Sequence, residues 1–418
     1  MADVEPLRAL HYDLKRTGGL QDVVAPPYDV IDGQQRAELE ARSPYNVVRI
    51  DLPVGEEPYE EAARQLADWR KDGVIVRDDE PAIYALEQQY TGPDGKPRTR
   101  RGFLARVRVE EYGPGRIRPH ERTHPGPRED RLRLTRATRA NLSPIFSLFD
   151  DPQAAATTPL RHAMTGDTYG QATDEDGTVN RVWRITDARA IEHITAALTN
   201  TELLIADGHH RYETARVYAD EVGGEGPQRY VLMCLVALED PGLTVFPTHR
   251  LLRGLSSDQH ETLATAIRRD FDVQRLETTA ELAPPSGDSI TLGYIDAHFR
   301  QPWRLTLKDQ AIADAALPDH AEAYRRLDTA VLEALILKGA LGMTDEDIDH
   351  LDGLGYARDF DNALELVEKG EYDAAFFVAP TPIEQVQAVA AAGESMPPKS
   401  TYFFPKVPTG LVFNPLDE

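Results

Sequence analysis

The sequence has little of what marks a stapled, metal-clustered or membrane-borne protein. Its 418 residues include one cysteine, Cys234, which excludes an intrachain disulfide and a cysteine-based metal cluster. That cysteine stands inside the apolar run "YVLMCLVAL", so it reads as a buried core thiol. Positive charge is scarce as well: 46 lysines and arginines face 70 acidic residues, a formal charge of -24. Gripping a phosphate backbone needs a net basic footprint, so nucleic acid is not an expected partner and any phosphate site has to be local. No apolar stretch approaches bilayer-spanning length, and "MADVEPLRALHYDLKRTGG" has no apolar signal core, which predicts a soluble cytoplasmic protein with no membrane partner. Walker A, G-x-S-x-G and HExxH patterns are missing too, which sets aside the mechanisms they serve. Lysine is rare among the cations, eight against 38 arginines.

What is present alternates between strand and helix signals. "PYEEAARQLADWRKDG" (58–73) places Ala62, Leu66 and Trp69 at spacings of three and four behind an initial proline, which predicts a helix. "AIYALEQQYTGPDGKPRTRRGFLARVRV" reads as two strands around a Gly/Pro turn, a hairpin. "VVAPPYDVI" is too proline-rich for a central strand, whereas "RYVLMCLVALED" is apolar without alternation and predicts a strand buried on both faces. With no fixed repeat and no low-complexity linker, boundaries are expected near 115 and 300: an N-terminal α/β region (1–115), a core (116–300) and a C-terminal α/β region with a closing loop (301–418).

Three stretches carry chemistry. In "LLIADGHHRYETARVYAD" an apolar strand runs through Gly208 into a helix whose first residues are His209, His210 and Arg211. Cations are disfavoured at that end of a helix dipole, so a negative group is expected nearby. A helix N-terminus with the Arg211 fork makes an anion cradle, and Asp207 either caps the helix or meets a magnesium ion arriving with a polyphosphate. Adjacent histidines diverge on a helix, unlike the i, i+4 pair of a zinc site. The residues alone also leave open that these three cations pair with acidic neighbours. The second stretch, 116–139, holds eight arginines against Glu121, Glu129 and Asp130. At its centre "RPHERTHPGPRED" sets Glu121 among His120, Arg122, His124 and Arg128, and a carboxylate among cations stays ionised and suits a proton acceptor. An arginine-rich helix face tied to acidic surface is the alternative. The third, "MPPKSTYFFPKVPTGLVF", carries Lys399 and Lys406 in a proline-rich loop that either closes a pocket or clamps the chain end to the core.

"PPYDVI" (26–31), "RPHERTHPGPREDRLRLTRATRANLSPIF" (from 118), "ADGHHRYETA" (from 206) and "MPPKSTYFFPKVPTGLVF" (from 396) together resemble the DUF1015 family, related to the ParB/sulfiredoxin superfamily that includes free serine kinases. The resemblance implies an α+β (mixed α/β) fold with a ParB/sulfiredoxin-like nucleotide-binding core and added α/β regions on either side. Sulfiredoxin's reactive cysteine has no counterpart after Gly208, so sulfinic-acid repair is not implied. The match to "PHE" and "DGHxR" elements implies Glu121 as the base that activates a hydroxyl, and Asp207, Gly208, His209, His210 and Arg211 around the phosphates. His120, Thr123, Arg128, Arg131 and Lys399 are further candidates for holding substrate or phosphate, and Asp207 for magnesium. The implied activity is a kinase that uses ATP (or ADP) and Mg2+ to convert L-serine to O-phospho-L-serine. The rivals are a ParB-like nucleotide-binding or hydrolysing switch and a silent scaffold.

Overall fold

The central strand expected from "YVLMCLVA" is buried almost along its whole length, and the sheet around it explains why. This computed structural model describes every residue except Met1, Arg122, His124, Ser286, Asp288 and Glu418. The strands of its first sheet are β1 (Val4–Glu5), β2 (Ile83–Thr91), β3 (Pro97–Arg108), β4 (Ile117–Arg118), β5 (Ile145–Phe149), β6 (Gly170–Thr173), β7 (Val179–Ile185), β8 (Leu203–Asp207) and β9 (Tyr230–Ala237). They lie in the order β4-β8-β5-β9-β3-β2-β7-β6, with β1 paired to β3. β9 runs parallel to β5 on one side and antiparallel to β3 on the other. All its residues but Tyr230 are buried, so neither face meets solvent, and an unalternating apolar sequence is what such a position requires. The expected hairpin is β2 with β3, in register from Tyr84 and Leu104 to Thr91 and Pro97.

One face of this sheet, including Phe103, Ile145, Ile205, Met233 and Leu235, forms a core with helices packed on it. Among the helices of this part of the chain are α1 (Pro58–Lys71), α2 (Pro125–Thr138), α3 (Ala188–Leu198) and α4 (His209–Val222). α3 buries Ile191, Ile194 and Leu198, and α4 buries Tyr212 and Ala215, in that core. The spacing predicted for α1 holds, with Ala62, Leu66 and Trp69 buried. "VVAPPYDVI" forms a short helical turn at Tyr28–Val30 and a single bridge from Ala25 to Thr409, as its prolines dictate.

A second, antiparallel sheet contains β10 (His249–Leu252), β11 (Phe271–Arg275), β12 (Thr291–Asp296), β13 (Trp303–Leu307), β14 (Leu354–Ala357) and β15 (Ala374–Phe377), in the order β11-β13-β12-β15-β10-β14. Alternate residues feed two cores. Leu252, Leu305 and Phe376 face α5 (Ser257–Asp270), and Leu251, Ile295 and Phe377 face α6 (Phe360–Glu368).

The architecture is mixed α/β, as expected, but the domain boundaries are not those expected. One compact unit comprises Met1–Pro119, Thr123–Thr244 and Pro405–Glu418, and the other His120–Arg122 and Val245–Phe404. A boundary at 300 would cut between β12 and β13, which pair antiparallel from Tyr294 and Trp303 onward. The chain end returns to the first unit, where Asn414 and Pro415 pair with Asn141 and Ala140. Among the described residues, no helix is long and apolar enough to cross a membrane.

Candidate functional site

The site is built on the turn between β8 and α4 in the first unit. β8 inserts between β4 and β5, and its register on β5 shifts between Ile205 and Asp207, ending the ladder at Asp207. Gly208 then takes φ 98 and ψ 30, the left-handed region, and opens α4 with no side-chain cap among the described residues. A Cβ at Gly208 would lie 2.9 Å from Arg211 Nε. Glycine is thus required twice, for the backbone and for the close approach of the guanidinium.

The negative group demanded by the cations is Asp207 itself. Lys406 Nζ donates to Asp207 Oδ2 at 3.0 Å, and Arg211 Nη2 lies 3.6 Å from Oδ1. Arg211 Nη1 also donates to the Pro144 carbonyl. Burial pushes the Asp207 pKa upward, but Lys406 and then Arg211 overcome it and hold the carboxyl well below the usual range. Burial likewise works against the Arg211 charge, and Asp207 foremost, with Asp29, Tyr28 and Asp51, more than restores it. Two cations converge here on one carboxylate at the positive end of a helix, and Asp29 and Asp51 also act on Arg211 from nearby.

A second buried pair adjoins the first. Arg131 of α2 donates from Nη1 to the Asp51 carbonyl at 2.6 Å and to Asp51 Oδ1 at 3.3 Å. Its guanidinium lies 4.1 Å from the centre of the Tyr28 ring. Ser143 Oγ donates to Asp51 Oδ2 at 2.9 Å and meets Thr409 Oγ1 at 2.8 Å. Burial raises the Asp51 pKa against the opposing pull of Arg131, Ser143 and Arg211. Asp51, Arg131, Ser143, Arg211 and Thr214 line one cavity of about 40 Å³. That admits a water or two, whereas small-molecule sites run to hundreds of Å³.

The structure thus brings Asp207, Gly208, Arg211 and Arg131 together. His209 is buried and His210 half-buried on the first turn of α4. Among the described residues no cluster of three His, Cys, Asp or Glu side chains is arranged to hold a metal. Nor does Asp207 fit a protein-held magnesium ion, because its carboxylate already accepts the Lys406 ammonium and faces a guanidinium. Arg128 is exposed on α2, and its carbonyl accepts from Thr214 Oγ1 at 3.4 Å. Thr123 is half-buried.

His120, Glu121 and Lys399 belong to the second unit. His120 is fully buried, with Nε2 2.8 Å from Thr401 Oγ1, its carbonyl accepting from Met396 N at 2.7 Å, and its ring 5.8 Å from that of Phe403. Those contacts make it an anchor for the 396–403 loop rather than a phosphate ligand. Glu121 follows it, half-buried. Lys399 is exposed with φ 55. Arg122 and His124 lie outside the described residues.

Sequence reasoning missed Asp51, Ser143 and Thr409 and chose Lys399 where Lys406 is the lysine that reaches Asp207. The scarcity of lysine was the available signal for Lys406. Nothing in the local sequence marks the other three.

No curated protein matches the chain. Among solved structures it is similar to a conserved hypothetical protein from Pyrococcus furiosus, at 17% identity and a TM-score of 0.37, covering 73% of this chain and 93% of that one. It is also similar to a free serine kinase in complex with AMP, at 15% identity and TM-score 0.36, covering 72% and 86%. A third is SbnI with a C-terminal truncation from Staphylococcus aureus, at 12% identity and TM-score 0.37, covering 75% and 87%. Scores this low carry no argument about activity. The model of the DUF1015 family, described as a protein of unknown function, matches residues 4–330, and the chain belongs to that family.

Proposed function

We propose that this protein is a nucleotide-dependent kinase that phosphorylates the hydroxyl of a free amino acid, with L-serine as acceptor and ATP (or ADP) as donor. The observation that carries the reading is the convergence of Arg211 and Lys406, at 3.6 and 3.0 Å, on the carboxylate that precedes a glycine-opened helix. A nucleotide phosphate takes the place of Asp207 as their anionic partner, and the α4 N-terminus adds backbone donors and the positive end of its dipole. In phosphoryl transfer the protein mainly positions groups and stabilises charge. The serine oxygen attacks the terminal phosphorus, the bond to the bridging oxygen breaks, and the shortened nucleotide leaves. Glu121 is assigned the hydroxyl proton from its place in the "PHE" motif.

The test is to incubate the purified chain with ATP or ADP, magnesium and a panel of hydroxy amino acids, and to follow O-phosphoserine by 31P NMR. Phosphoserine formation, abolished in Glu121→Gln while nucleotide still binds, is the expected result. Nucleotide hydrolysis without any acceptor product would replace this reading with the switch, and a fully active Glu121→Gln would remove Glu121 from the mechanism.

A further inference from the structure

The second unit contains a groove of about 760 Å³ that the phosphate chemistry does not use. Its floor follows from strand register. Arg275 on β11 stands opposite Trp303 on β13, which stands opposite Tyr294 on β12, so the three lie side by side on one face of the sheet. The next row along that face runs from Val273 to Leu305. Helix α5 forms the wall with Ala264, Ile267 and Arg268, and the β12–β13 connection closes one end with His298 and Phe299.

Three features define what fits. Trp303 and Tyr294 are only partly buried at the edge of the core, and Val273 and Phe299 remain 41% and 76% exposed, so an apolar floor and rim face solvent. Arg268 and Arg275 both line the groove, and among the described residues neither is drawn into an ion pair. Among the described residues the single carboxylate lining it is Asp296, which is buried and accepts a hydrogen bond from Phe299 N at 2.6 Å. In a chain carrying a formal charge of -24, a groove whose described residues set two arginines against one occupied carboxylate is a local reversal of sign. Its volume lies in the range of small-molecule sites rather than that of a flat protein interface.

We propose that this groove binds a flat organic anion, an aromatic or heteroaromatic ring carrying a carboxylate or phosphate group. The ring lies on Trp303 and Tyr294, and the anionic group reaches Arg268 and Arg275, where guanidinium forks pair with planar oxyanions. This inference stands apart from the kinase reading, because every lining residue belongs to the second unit and none is assigned to phosphoryl transfer.

Three probes test it on the full chain: 4-nitrobenzoate, 4-nitrobenzylphosphonate and the neutral 4-nitrobenzyl alcohol, followed by calorimetry and by quenching of tryptophan emission. At least one anion is expected to bind ten-fold or more tighter than the alcohol, and the preferred anion tells carboxylate from phosphate. Quenching should be lost in Trp303→Phe. Affinity should fall at least ten-fold in R268Q/R275Q, whose exposed positions leave folding untouched. Equal affinity for the anions and the alcohol, unchanged quenching in Trp303→Phe, or no saturable binding would overturn the proposal.

Discussion

Replacing Lys406 by methionine keeps most of the side-chain volume and removes the charge that sits 3.0 Å from Asp207. At an effective dielectric near 20, that attraction amounts to about 5 kcal/mol before desolvation. Breaking a buried pair by removing one partner typically costs about 3–5 kcal/mol. Asp207 keeps Arg211 at 3.6 Å, so the low end, about 3 kcal/mol, is expected. With a urea m-value of about 3 kcal/mol/M for a unit of this size, the midpoint should fall by about 1 M. The transition is best followed by tryptophan emission in a Trp303→Phe background, since Trp69 and Trp183 both report on the first unit. The Asp207 pKa is depressed in the folded state, so its stabilisation is present above the unfolded value of about 3.9 and is lost as pH falls through the lower folded value. The gap between parent and Lys406→Met is therefore full at pH 7 and narrows only in strong acid. In a double-mutant cycle with Asp207→Asn the coupling should be about 1–3 kcal/mol. Equal urea midpoints at pH 7, or additivity within about 0.5 kcal/mol, would refute the pairing argument.

Further expectations follow from the same geometry. Gly208→Ala places a Cβ at φ 98 and against Arg211, so thermal unfolding should show a loss of about 2 kcal/mol, mostly from left-handed strain. Arg250 is buried and donates to the carbonyls of Thr248, Pro398 and Lys399; Arg250→Met should leave those acceptors unsatisfied and speed proteolysis and amide exchange within 396–401. Burial pushes the Cys234 thiol up to about 12, with Arg100 opposing, so it should resist a thiol reagent at pH 8 in the native protein and react once urea unfolds the chain.

Local physics made much of the first unit readable. The β2–β3 hairpin announced itself by a Gly/Pro turn between two strand patterns, β9 by an apolar run without alternation, and α1 by its apolar spacing. The strand order was not readable, because β8 lies between β4 and β5, and β5 lies parallel to β9, through pairings that no short window encodes. The same holds for the boundaries, since the last residues return to pair near Asn141. At the site, the glycine turn and the misplaced cations were legible because the helix dipole poses a local electrostatic problem. Its solution was only half legible: Lys406 lies 199 residues from Asp207, and Asp51 lies 80 from Arg131. Buried polar partners at such separations are fixed by the tertiary fold and leave no periodic trace.

In the proposed reaction Arg211 and Lys406 hold the phosphates of a nucleotide. Calorimetric titration of ATP and ADP in the presence of magnesium, on the parent, Arg211→Ala and Lys406→Met, tests it most directly. The parent should bind with a micromolar to submillimolar Kd, and each variant should weaken binding by ten-fold or more while its native tryptophan emission is retained. Unaltered nucleotide affinity in both folded variants would contradict the claim.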